Sequence, residues 1–421
     1  MSSLALREPR PLLRQRPFRR LWIGESVSFV GDQVSLLALP LVGVLTLDAS
    51  AAEMGLLTAL GWAPHLLFSL FAGAWIDLRA RRRPIMIAAD LGRAALLGTI
   101  PLAGALGALT IEQLYAVTFL VGVLTVYFDL CWTSFLVAVV PRRQLVDANS
   151  KLNVSRSVSL IAGPSLAGGL VQALSAPVAI LVDGISFVVS AVFLRSIDAQ
   201  ELPLERRHDE GAMRRLREGM RFLAGHPVLR AGVACTSTLN FFTMIWFAIF
   251  VLYASRELGL SAGAIGLILG VGAFGGLLGA LVAARIGARI GIGPAIVLGA
   301  VLFPAPTVLF PLASGPEWSR AAFLLAGEFF ASVGVMVFDV NQNSLNVLLT
   351  PHRLRARIAG ASRFFNYGTR PLGALAGGAL GEAIGLRPTI WIGVAGSLLA
   401  VVFLLISPMR GIKEPPEEEP E

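Results

Sequence analysis

The sequence predicts an all-α membrane protein of twelve transmembrane helices, arranged as two six-helix bundles related by pseudo-symmetry. Three observations lead to this prediction. The chain of 421 residues is 55% hydrophobic and only 15% charged, whereas soluble proteins carry about 25% charged residues. Its apolar residues fall in stretches of about 20, the length that crosses a bilayer as a helix. The second half of the chain also repeats residues of the first half.

The internal repeat consists of two sets of residues separated by a constant offset of 210 positions. Phe128 and Asp129 in the first set correspond to Phe338 and Asp339 in the second. The same offset relates Ser134 to Ser344, Val137 to Val347, Pro141 to Pro351, Arg143 to Arg353, Gly163 to Gly373, Gly168 to Gly378 and Leu170 to Leu380. Membrane chains that repeat at half their length are typical of transporters, in which the substrate path runs between the halves near the bilayer midplane.

The apolar stretches are expected to be helices, because lipid offers backbone groups no partner outside a helix or a closed barrel. They divide the chain into a basic tail at 1–20, a first bundle at 21–197, a linker at 198–228, a second bundle at 229–408 and an acidic tail at 409–421. The predicted spans, six in each bundle, are 21–47, 53–76, 85–107, 113–138, 153–174, 177–197, 229–253, 262–284, 292–313, 319–341, 360–384 and 389–408.

The linker and the C-terminal tail have patterns of their own. In the linker, Met213, Leu216, Met220 and Leu223 fall on one face of a helix, with arginines around them. Such an amphipathic helix is predicted to lie on the inner membrane surface. The tail is rich in glutamate and proline and is predicted to be disordered.

The formal charge of +8 comes from basic residues that recur at every second connection between the spans. They occupy the tail at 7–20 and the runs 79–83, 142–143, 195–230, 285–289 and 353–357, whereas the intervening connections contain few. This alternation is the positive-inside pattern. It predicts a multi-pass protein of the bacterial plasma membrane with both termini in the cytoplasm, and it gives no reason to expect nucleic acid as a partner.

Cofactor chemistry is not indicated by the residues that usually support it. Cys131 and Cys235 lie in apolar spans, and the four histidines are scattered without metal-ligand spacing. The chain has no nucleophile–base pair and no phosphate-binding loop of the Gly-x-x-x-x-Gly-Lys type. We expect no metal, no cofactor and no enzyme activity. A membrane-embedded enzyme or receptor is the alternative from another class, and it would need one of these features.

Acidic residues within the spans mark the expected path of protons, since each costs at least about 2.5–3.5 kcal/mol to insert at mid-depth. Asp32 lies near the middle of the first span, with no arginine within one helical turn, and is the foremost candidate for a proton carrier. Glu25, Asp129 and Asp339 are further candidates. Glu25 could instead pair with Arg19 or Arg20 of the basic tail.

The first, fourth, seventh and tenth spans all carry polar stripes and occupy corresponding places in a three-helix repeat, which favours a shared central cavity. The candidates for contacting a substrate there are Asn240, Phe241, Trp246, Glu328, Arg156, Arg363 and Arg370. The arginines could bind an anionic group or neutralise the acids. Two other interpretations remain open, since polar side chains can join helices to one another and aromatic side chains can face lipid.

The connection after the second span contains Gly73, Asp77, Arg81 and Arg82, in the order glycine, three residues, aspartate and clustered arginines. This pattern resembles the loop signature of the major facilitator superfamily. The resemblance implies a gating loop, in which the glycine allows close helix packing and the arginines lock to acids while the cytoplasmic side is closed.

The fifth span contains Gly163, Pro164, Gly168 and Gly169. These residues are similar to the antiporter motif of the same superfamily, and the resemblance implies export rather than import. In physical terms the glycines remove side-chain bulk and the proline removes a backbone hydrogen bond. The motif is therefore expected to be a site of helix packing and bending.

Further segments resemble one branch of the superfamily, the drug/proton antiporters that include macrolide-efflux and enterobactin-type exporters. They are 18–22, 28–32, 127–129, 145–149 and 183–187. Many members of this branch have an arginine in the middle of the fourth span, but residues 114–128 contain none. Arg93 and Arg156 are the alternative sources of that charge.

The sequence and the resemblance together predict a monomeric transporter that exports amphipathic organic compounds, drug- or macrolide-like, by proton-coupled alternating access, as in multidrug resistance. The alternative is an exporter of one endogenous metabolite, such as a siderophore or a lipid-like molecule. The expected partners are a small-molecule substrate, protons and the lipid bilayer.

Overall fold

The computed structural model describes residues 11–77, 81–198, 212–351 and 354–413. The regular elements in these ranges are helices, with no β-strand among them. The helices are α1 (Arg16–Leu45), α2 (Ala51–Asp77), α3 (Arg83–Ala105), α4 (Ile111–Val139), α5 (Leu145–Ala173), α6 (Ala176–Arg195), α7 (Ala212–Gly225), α8 (Pro227–Leu252), α9 (Ala262–Ile290), α10 (Ile292–Leu302), α11 (Leu309–Leu312), α12 (Glu317–Leu349), α13 (Arg355–Ile384), α14 (Leu386–Leu399) and α15 (Val401–Leu405).

Within the described residues, ten helical stretches are long and apolar enough to cross a membrane. The two remaining predicted spans are α2 and α13, which are helices of 27 and 30 residues. They pack against each other along the boundary between the halves. The predicted fold class, an all-α membrane protein of twelve transmembrane helices in two bundles, is confirmed.

The two halves repeat one helix order and one packing scheme. α5 and α13 begin 210 residues apart, at Leu145 and Arg355, and so do α6 and α14, at Ala176 and Leu386. In the first half α1 packs on α5 and α6, and α4 packs on α2 and α3. In the second half α8 packs on α13 and α14, and α12 packs on α9 and α10. The residue repeat therefore corresponds to an approximate two-fold relation between the bundles.

Local sequence explains where several helices begin and end. Ser50 and Glu53 cap the start of α2 reciprocally: the Ser50 N–H donates to Glu53 Oε2 (2.7 Å), and the Glu53 N–H donates to Ser50 Oγ (3.3 Å). α9 passes into α10 through Gly291 (φ 95°), and α13 passes into α14 through Gly385 (φ 90°). Glycine adopts these positive φ values without the steric cost of a side chain.

Some spans differ from their predicted limits. α5 begins at residue 145 instead of 153, and α12 extends to residue 349 instead of 341. Both added segments are polar, so hydropathy understates the helix length. The ninth span is interrupted, because α10 ends at Leu302 and a 3₁₀ turn follows at Ala305–Val308. Pro304 and Pro306 remove backbone N–H donors at this point.

The linker helix α7 also packs on the second bundle through the described part of its apolar side. Leu223 is buried against Leu229 of α8 and Ile358 of α13. Glu218 of α7 also forms an ion pair with Arg357, near the start of α13. The linker helix is thus an accessory element of the second half.

The predicted disordered tail was placed too early, since residues 409–413 are ordered. Pro408–Gly411 forms a 3₁₀ turn, and Met409 is fully buried. The Gly293 N–H, at the start of α10, donates to the carbonyl of Ile412 (2.9 Å). The acidic residues from 414 onwards lie outside the described residues.

Candidate functional site: the interface between the halves

Two helix crossings join the halves, α5 with α9 and α2 with α13, and the approximate symmetry relates one crossing to the other. We call the end of the molecule formed by the α1–α2, α3–α4 and α5–α6 connections the loop end. The opposite end, which carries arginines 81–83, 142–143, 355 and 357, is called the basic end.

Glycine brings the backbones of opposite halves into direct contact near the loop end. A Cβ atom on Gly378 of α13 would lie 2.8 Å from the Cα of Gly55 in α2. A Cβ atom on Gly168 of α5 would collide with the carbonyl oxygen of Ala262 in α9. Helices approach this closely only where side chains are small. The halves are therefore closed at the loop end.

A charged contact accompanies the closure. Arg256, after α8, donates to Asp48 Oδ1 across the boundary (2.5 Å), and it also lies 3.5 Å from the carbonyl of Val44. Asp48 is 94% exposed, so this pair lies at the water-facing rim of the interface. An exposed pair of this kind contributes little on its own.

The halves separate towards the basic end. The backbone contacts of α5 with α9 involve residues 161–172, and those of α13 with α2 involve residues 374–381. Closer to the basic end, Asn149 of α5 and Arg363 of α13 are exposed. A cavity of about 760 Å³ follows α5 from Leu145 to Ile161, with Leu277 of α9 also lining it. The molecule is thus closed at the loop end and open at the basic end.

Five carboxyl groups from four helices gather in the first half. Glu25 and Asp32 belong to α1, Asp90 to α3, Asp129 to α4 and Asp183 to α6, and electrostatic interactions connect them. Glu25, Asp90 and Asp183 are buried, Asp32 is half-buried and Asp129 is exposed. We call this group the carboxyl cluster. Its accessible edge consists of Asp32 and Asp129.

Arg93 of α3 is the buried positive charge beside the carboxyl cluster. It forms an ion pair with Asp90, and neither side chain is more than 3% exposed. Its guanidinium carbon lies 3.9 Å from the ring centre of Phe187 and 4.7 Å from that of Phe128, and Nη1 lies 3.4 Å from Thr125 Oγ1. A guanidinium from α3 therefore lies against the middle of α4, where the sequence has no arginine.

Glu25 does not form an ion pair with Arg19 or Arg20 of the basic tail, which was the alternative that the sequence left open. Its side chain is only 4% exposed, and its charged neighbours are Asp90, Asp32, Arg93 and Asp129. Arg20 donates instead to the carbonyl of Ser196.

Asp183, like Asp90, is a member of the cluster that sequence reasoning did not select as a site residue. It accepts hydrogen bonds from Ser35 of α1 and from Ser186 (3.1 Å for Ser186). Gly31 lets α1 approach α6 here, since a Cβ atom at that position would collide with Ser186. An aspartate inside an otherwise apolar span is the signal that could have identified it.

In the second half, Arg370 of α13 lies at the interface with α2. Its Nε donates to Asn240 Oδ1 in α8 (3.1 Å), and its guanidinium carbon lies 4.2 Å from the ring centre of Trp62 in α2. Tyr367 stacks on Trp62 with 6.1 Å between ring centroids. Asp339 interacts electrostatically with Arg370. Protein groups of both halves therefore engage this arginine.

The other two predicted interface arginines, Arg156 and Arg363, are exposed on the basic-end parts of α5 and α13. Arg156 interacts electrostatically with Asp32 and Asp129. It therefore lies on the gap side of the carboxyl cluster, whereas Arg93 lies on the buried side.

Glu328 of α12 lines a second cavity between the halves, of about 210 Å³. Gln33 of α1, Thr58 of α2 and Ser332 of α12 supply the other polar side chains among the described lining residues, and the rest of that lining is apolar. We call this space the interface cavity. It lies nearer the loop end than the larger cavity along α5, since its α1 and α8 residues belong to the loop-end parts of those helices.

The aromatic residues of α8 are only partly placed as predicted. Trp246 is 5% exposed and packs against Phe250 and Phe310 in the core, so it was wrongly assigned to the cavity. Its neighbours Phe247 and Phe250 line the interface cavity instead. The backbone carbonyl of Phe241 abuts Gly373 of α13, which makes this residue part of the packing between α8 and α13.

The two motifs of the sequence lie at different places. Gly73 and Asp77 fall in α2, but their side chains are outside the described residues, as are residues 78–80. Arg81 is exposed, and Arg82 is 4% exposed directly before α3. In the α5 motif, Gly163 abuts Gln33 of α1, the carbonyl of Pro164 abuts Gly266 of α9, and Gly168 abuts Ala262. Gly169 has no neighbour within 4 Å of a Cβ position.

A helical membrane protein of two related bundles, with a gap between them that is closed at one end, belongs to the class of multi-pass membrane transporters. The family model of the Major Facilitator Superfamily matches residues 21–370 and 233–421. The chain is a member of this superfamily, as the resemblance of its loop motif and its fifth-span motif indicated. Its relatives and structural neighbours are transporters and not enzymes.

Individual relatives are distant. The chain is 25% identical over 399 residues to the multidrug efflux pump Tap of Mycolicibacterium fortuitum, covering 90% of this chain and 93% of the relative. A bacterial homologue of the iron transporter ferroportin in its inward-facing state superposes with a TM-score of 0.76 at 18% identity, covering 94% and 99% of the two chains. The outward-facing state of such a homologue superposes with a lower TM-score, 0.57. The nucleoside transporter NupG gives 0.70 at 13% identity, covering 92% and 97%.

Proposed function

We propose that the protein exports amphipathic organic compounds across the bacterial plasma membrane in exchange for protons, acting as a monomer with its basic end in the cytoplasm. The observation that carries the proposal is the carboxyl cluster, which reaches from the core of the first half to the gap through Asp32 and Asp129. Ionisable groups inside membrane spans mark ion and proton paths in transporters.

The cluster supports proton transfer because five carboxyl groups share one buried guanidinium. Neighbouring carboxylates repel one another, so such groups share protons and titrate as a unit. Asp32 is the proposed carrier, since it links the buried members of the cluster to the gap. Arg93 supplies the positive charge beside α4 that drug/proton antiporters obtain from an arginine within that helix.

Alternating access follows from the two crossings. The halves are closed at the loop end in the present state, and opening of the loop end with closure of the basic end would give the half-buried Asp32 side chain access from the loop end. One proton moving through about 100–200 mV releases roughly 2–5 kcal/mol. This energy sustains a substrate gradient of roughly thirty-fold to a few thousand-fold, so one coupling carboxyl is energetically sufficient.

Export is supported by the likeness to an efflux pump and by the resemblance of the α5 motif to the antiporter motif of the superfamily. The fold alone does not choose a substrate, since the printed substrates of the structural neighbours include iron and nucleosides. The amphipathic character of the proposed substrates is supported by the mostly apolar lining of both cavities.

The experiment uses the purified chain in proteoliposomes with an imposed pH gradient. Ethidium and erythromycin are supplied on the side of the basic end, and their movement is followed together with the internal pH. We expect uphill movement of at least one compound, coupled to proton flow in the opposite direction. Equal movement with and without the gradient would refute proton coupling.

Export of one endogenous anionic metabolite is the second candidate. The exposed guanidinium groups of Arg156 and Arg363 along α5 and α13 favour it, because catecholate and phosphate groups bind arginine. A catechol ligand tested in the same vesicles separates the two candidates. Transport of the catechol ligand alone, lost in the double variant Arg156→Gln/Arg363→Gln, would favour the second.

A further inference from the structure

The interface cavity holds one carboxyl group without a compensating charge. Within the described residues Glu328 has no hydrogen-bond or ion-pair partner, and no charged side chain interacts with it. The acids of the first half differ in this respect, because they surround Arg93. Glu328 is half-buried, and a carboxylate that is partly removed from water without a partner is unfavourable. A ligand that brings a positive charge into this cavity would remove that cost.

Two prolines among the lining residues leave backbone carbonyl groups of the same helices without a helical donor. Pro40 of α1 and Pro164 of α5 both line it, and each lies inside its helix. Proline has no N–H, so the carbonyl four residues earlier loses its helical donor. These carbonyls belong to Leu36 and Leu160, which also line the cavity. Carbonyl oxygens without a helical donor carry partial negative charge, which favours a cationic ligand beside these residues.

The size and the aromatic lining narrow the ligand further. Phe247 and Phe250 line the cavity, and aromatic faces attract cations, including quaternary ammonium groups. A cavity of about 210 Å³ is smaller than the roughly 300–1,000 Å³ that encloses a drug-sized ligand. It therefore accommodates a head group. The apolar remainder of a larger ligand then lies outside this cavity.

We infer that the interface cavity binds the cationic head group of an amphipathic amine or quaternary ammonium compound, and that Glu328 selects for positive charge. The inference rests on the proposed function, since it names the class of substrate. It also assigns different tasks to the two halves: the carboxyl cluster of the first half carries protons, and the lone carboxyl of the second half recognises the substrate.

The test compares two probes of nearly the same shape, trimethylphenylammonium and its uncharged analogue tert-butylbenzene, binding to the purified full chain by calorimetry. We expect the cation to bind roughly ten-fold more tightly or better. Glu328→Gln is expected to reduce that preference to less than about two-fold while leaving tert-butylbenzene binding unchanged. Glu328→Asp retains the charge and should retain most of the preference.

Glu317→Gln is the matched control, because Glu317 is exposed at the start of the same helix; it should keep the full preference. Unchanged binding of tert-butylbenzene shows that the Glu328 variants are folded. A wild-type protein without cation preference, or a Glu328→Gln variant that keeps it, overturns the inference. Proton-driven transport of neutral compounds would then leave the proposed function standing, whereas cation binding without any proton-driven transport would overturn the proposed function alone.

Discussion

Arg93 and Asp90 show at the residue scale how a membrane bundle tolerates charge. Their ion pair is almost completely buried, and two aromatic rings cover the guanidinium. A buried pair of this kind adds little net stability, but either partner alone is costly because its charge is left uncompensated. Substitution of either residue alone is therefore expected to cost more stability than the net interaction energy of the pair.

Removal of one partner tests this coupling. Arg93→Gln is expected to destabilise the protein by about 3–5 kcal/mol, since Asp90 loses its counter-charge. The double variant Asp90→Asn/Arg93→Gln should be less destabilised than this single variant. Unfolding of the purified protein in detergent measures both. Equal losses in the single and double variants would show that the two side chains do not compensate each other.

The carboxyl group of Asp32 is proposed to carry the transported proton. Asp32→Asn keeps the size of the side chain but cannot release a proton. We expect loss of uphill transport in proteoliposomes, with binding of the transported compound retained. Asp147→Asn is the control, since Asp147 pairs with Lys151 on an exposed part of α5 (2.9 Å). Wild-type pumping by the Asp32 variant would exclude it as the carrier.

At the scale of the helix, two adjacent glycines of α5 differ in whether another helix packs against them. Gly168 faces α9 with no room for a side chain, whereas Gly169 has no neighbour within 4 Å of a Cβ position. Gly168→Leu is expected to prevent closure at the loop end, because α5 can no longer contact α9. Gly169→Leu should have no such effect and serves as the matched control.

Distances between spin labels at Ala108→Cys and Ser314→Cys measure that closure, because both positions are exposed at the loop end on opposite halves. The native Cys131 and Cys235 are buried. We expect a longer distance in the Gly168→Leu protein and the wild-type distance in the Gly169→Leu protein. The same distance in both would mean that the crossing does not hold the loop end shut.

Helix limits illustrate which features of an element follow from its sequence. Apolar stretches predict where a helix lies in lipid, so the centres of the spans are close to those observed. The basic-end part of α5 was missed because Asn149 and Asn153 are polar and exposed, and hydropathy cannot separate a helix beside a water-filled gap from a loop. The interruption after α10 was missed although Pro304 and Pro306 signal it.

For the whole molecule, closure of the loop end combines apolar packing, the two glycine crossings and the Arg256–Asp48 pair. The packing is expected to dominate, because an exposed ion pair changes an equilibrium at most about five-fold. Arg256→Gln should therefore shift the distance distribution between labels at residues 108 and 314 only slightly. A complete opening would show that the charge and not the packing controls the state.

The repeat and the hydropathy pattern were sufficient to predict the architecture, because both are properties of whole helices. The carboxyl cluster was predicted in part. Asp32, Glu25 and Asp129 share an unusual position inside apolar spans, whereas Asp183 was noted only as part of a motif. The cation–π contacts of the two arginines could not be predicted. Arg93 with Phe187 and Arg370 with Trp62 join helices that are distant in sequence.

The attachment of α7 to the second half has a consequence for how the chain can be assembled. Leu223 and Glu218 bind this helix to α8 and α13, so each half keeps its own buried surface if the chain is interrupted between residues 198 and 212. Two fragments synthesised separately, 1–198 and 212–421, are therefore expected to associate in the membrane into an active transporter. Co-purification of the fragments, and recovery in proteoliposomes of the transport measured for the intact chain, test this outcome.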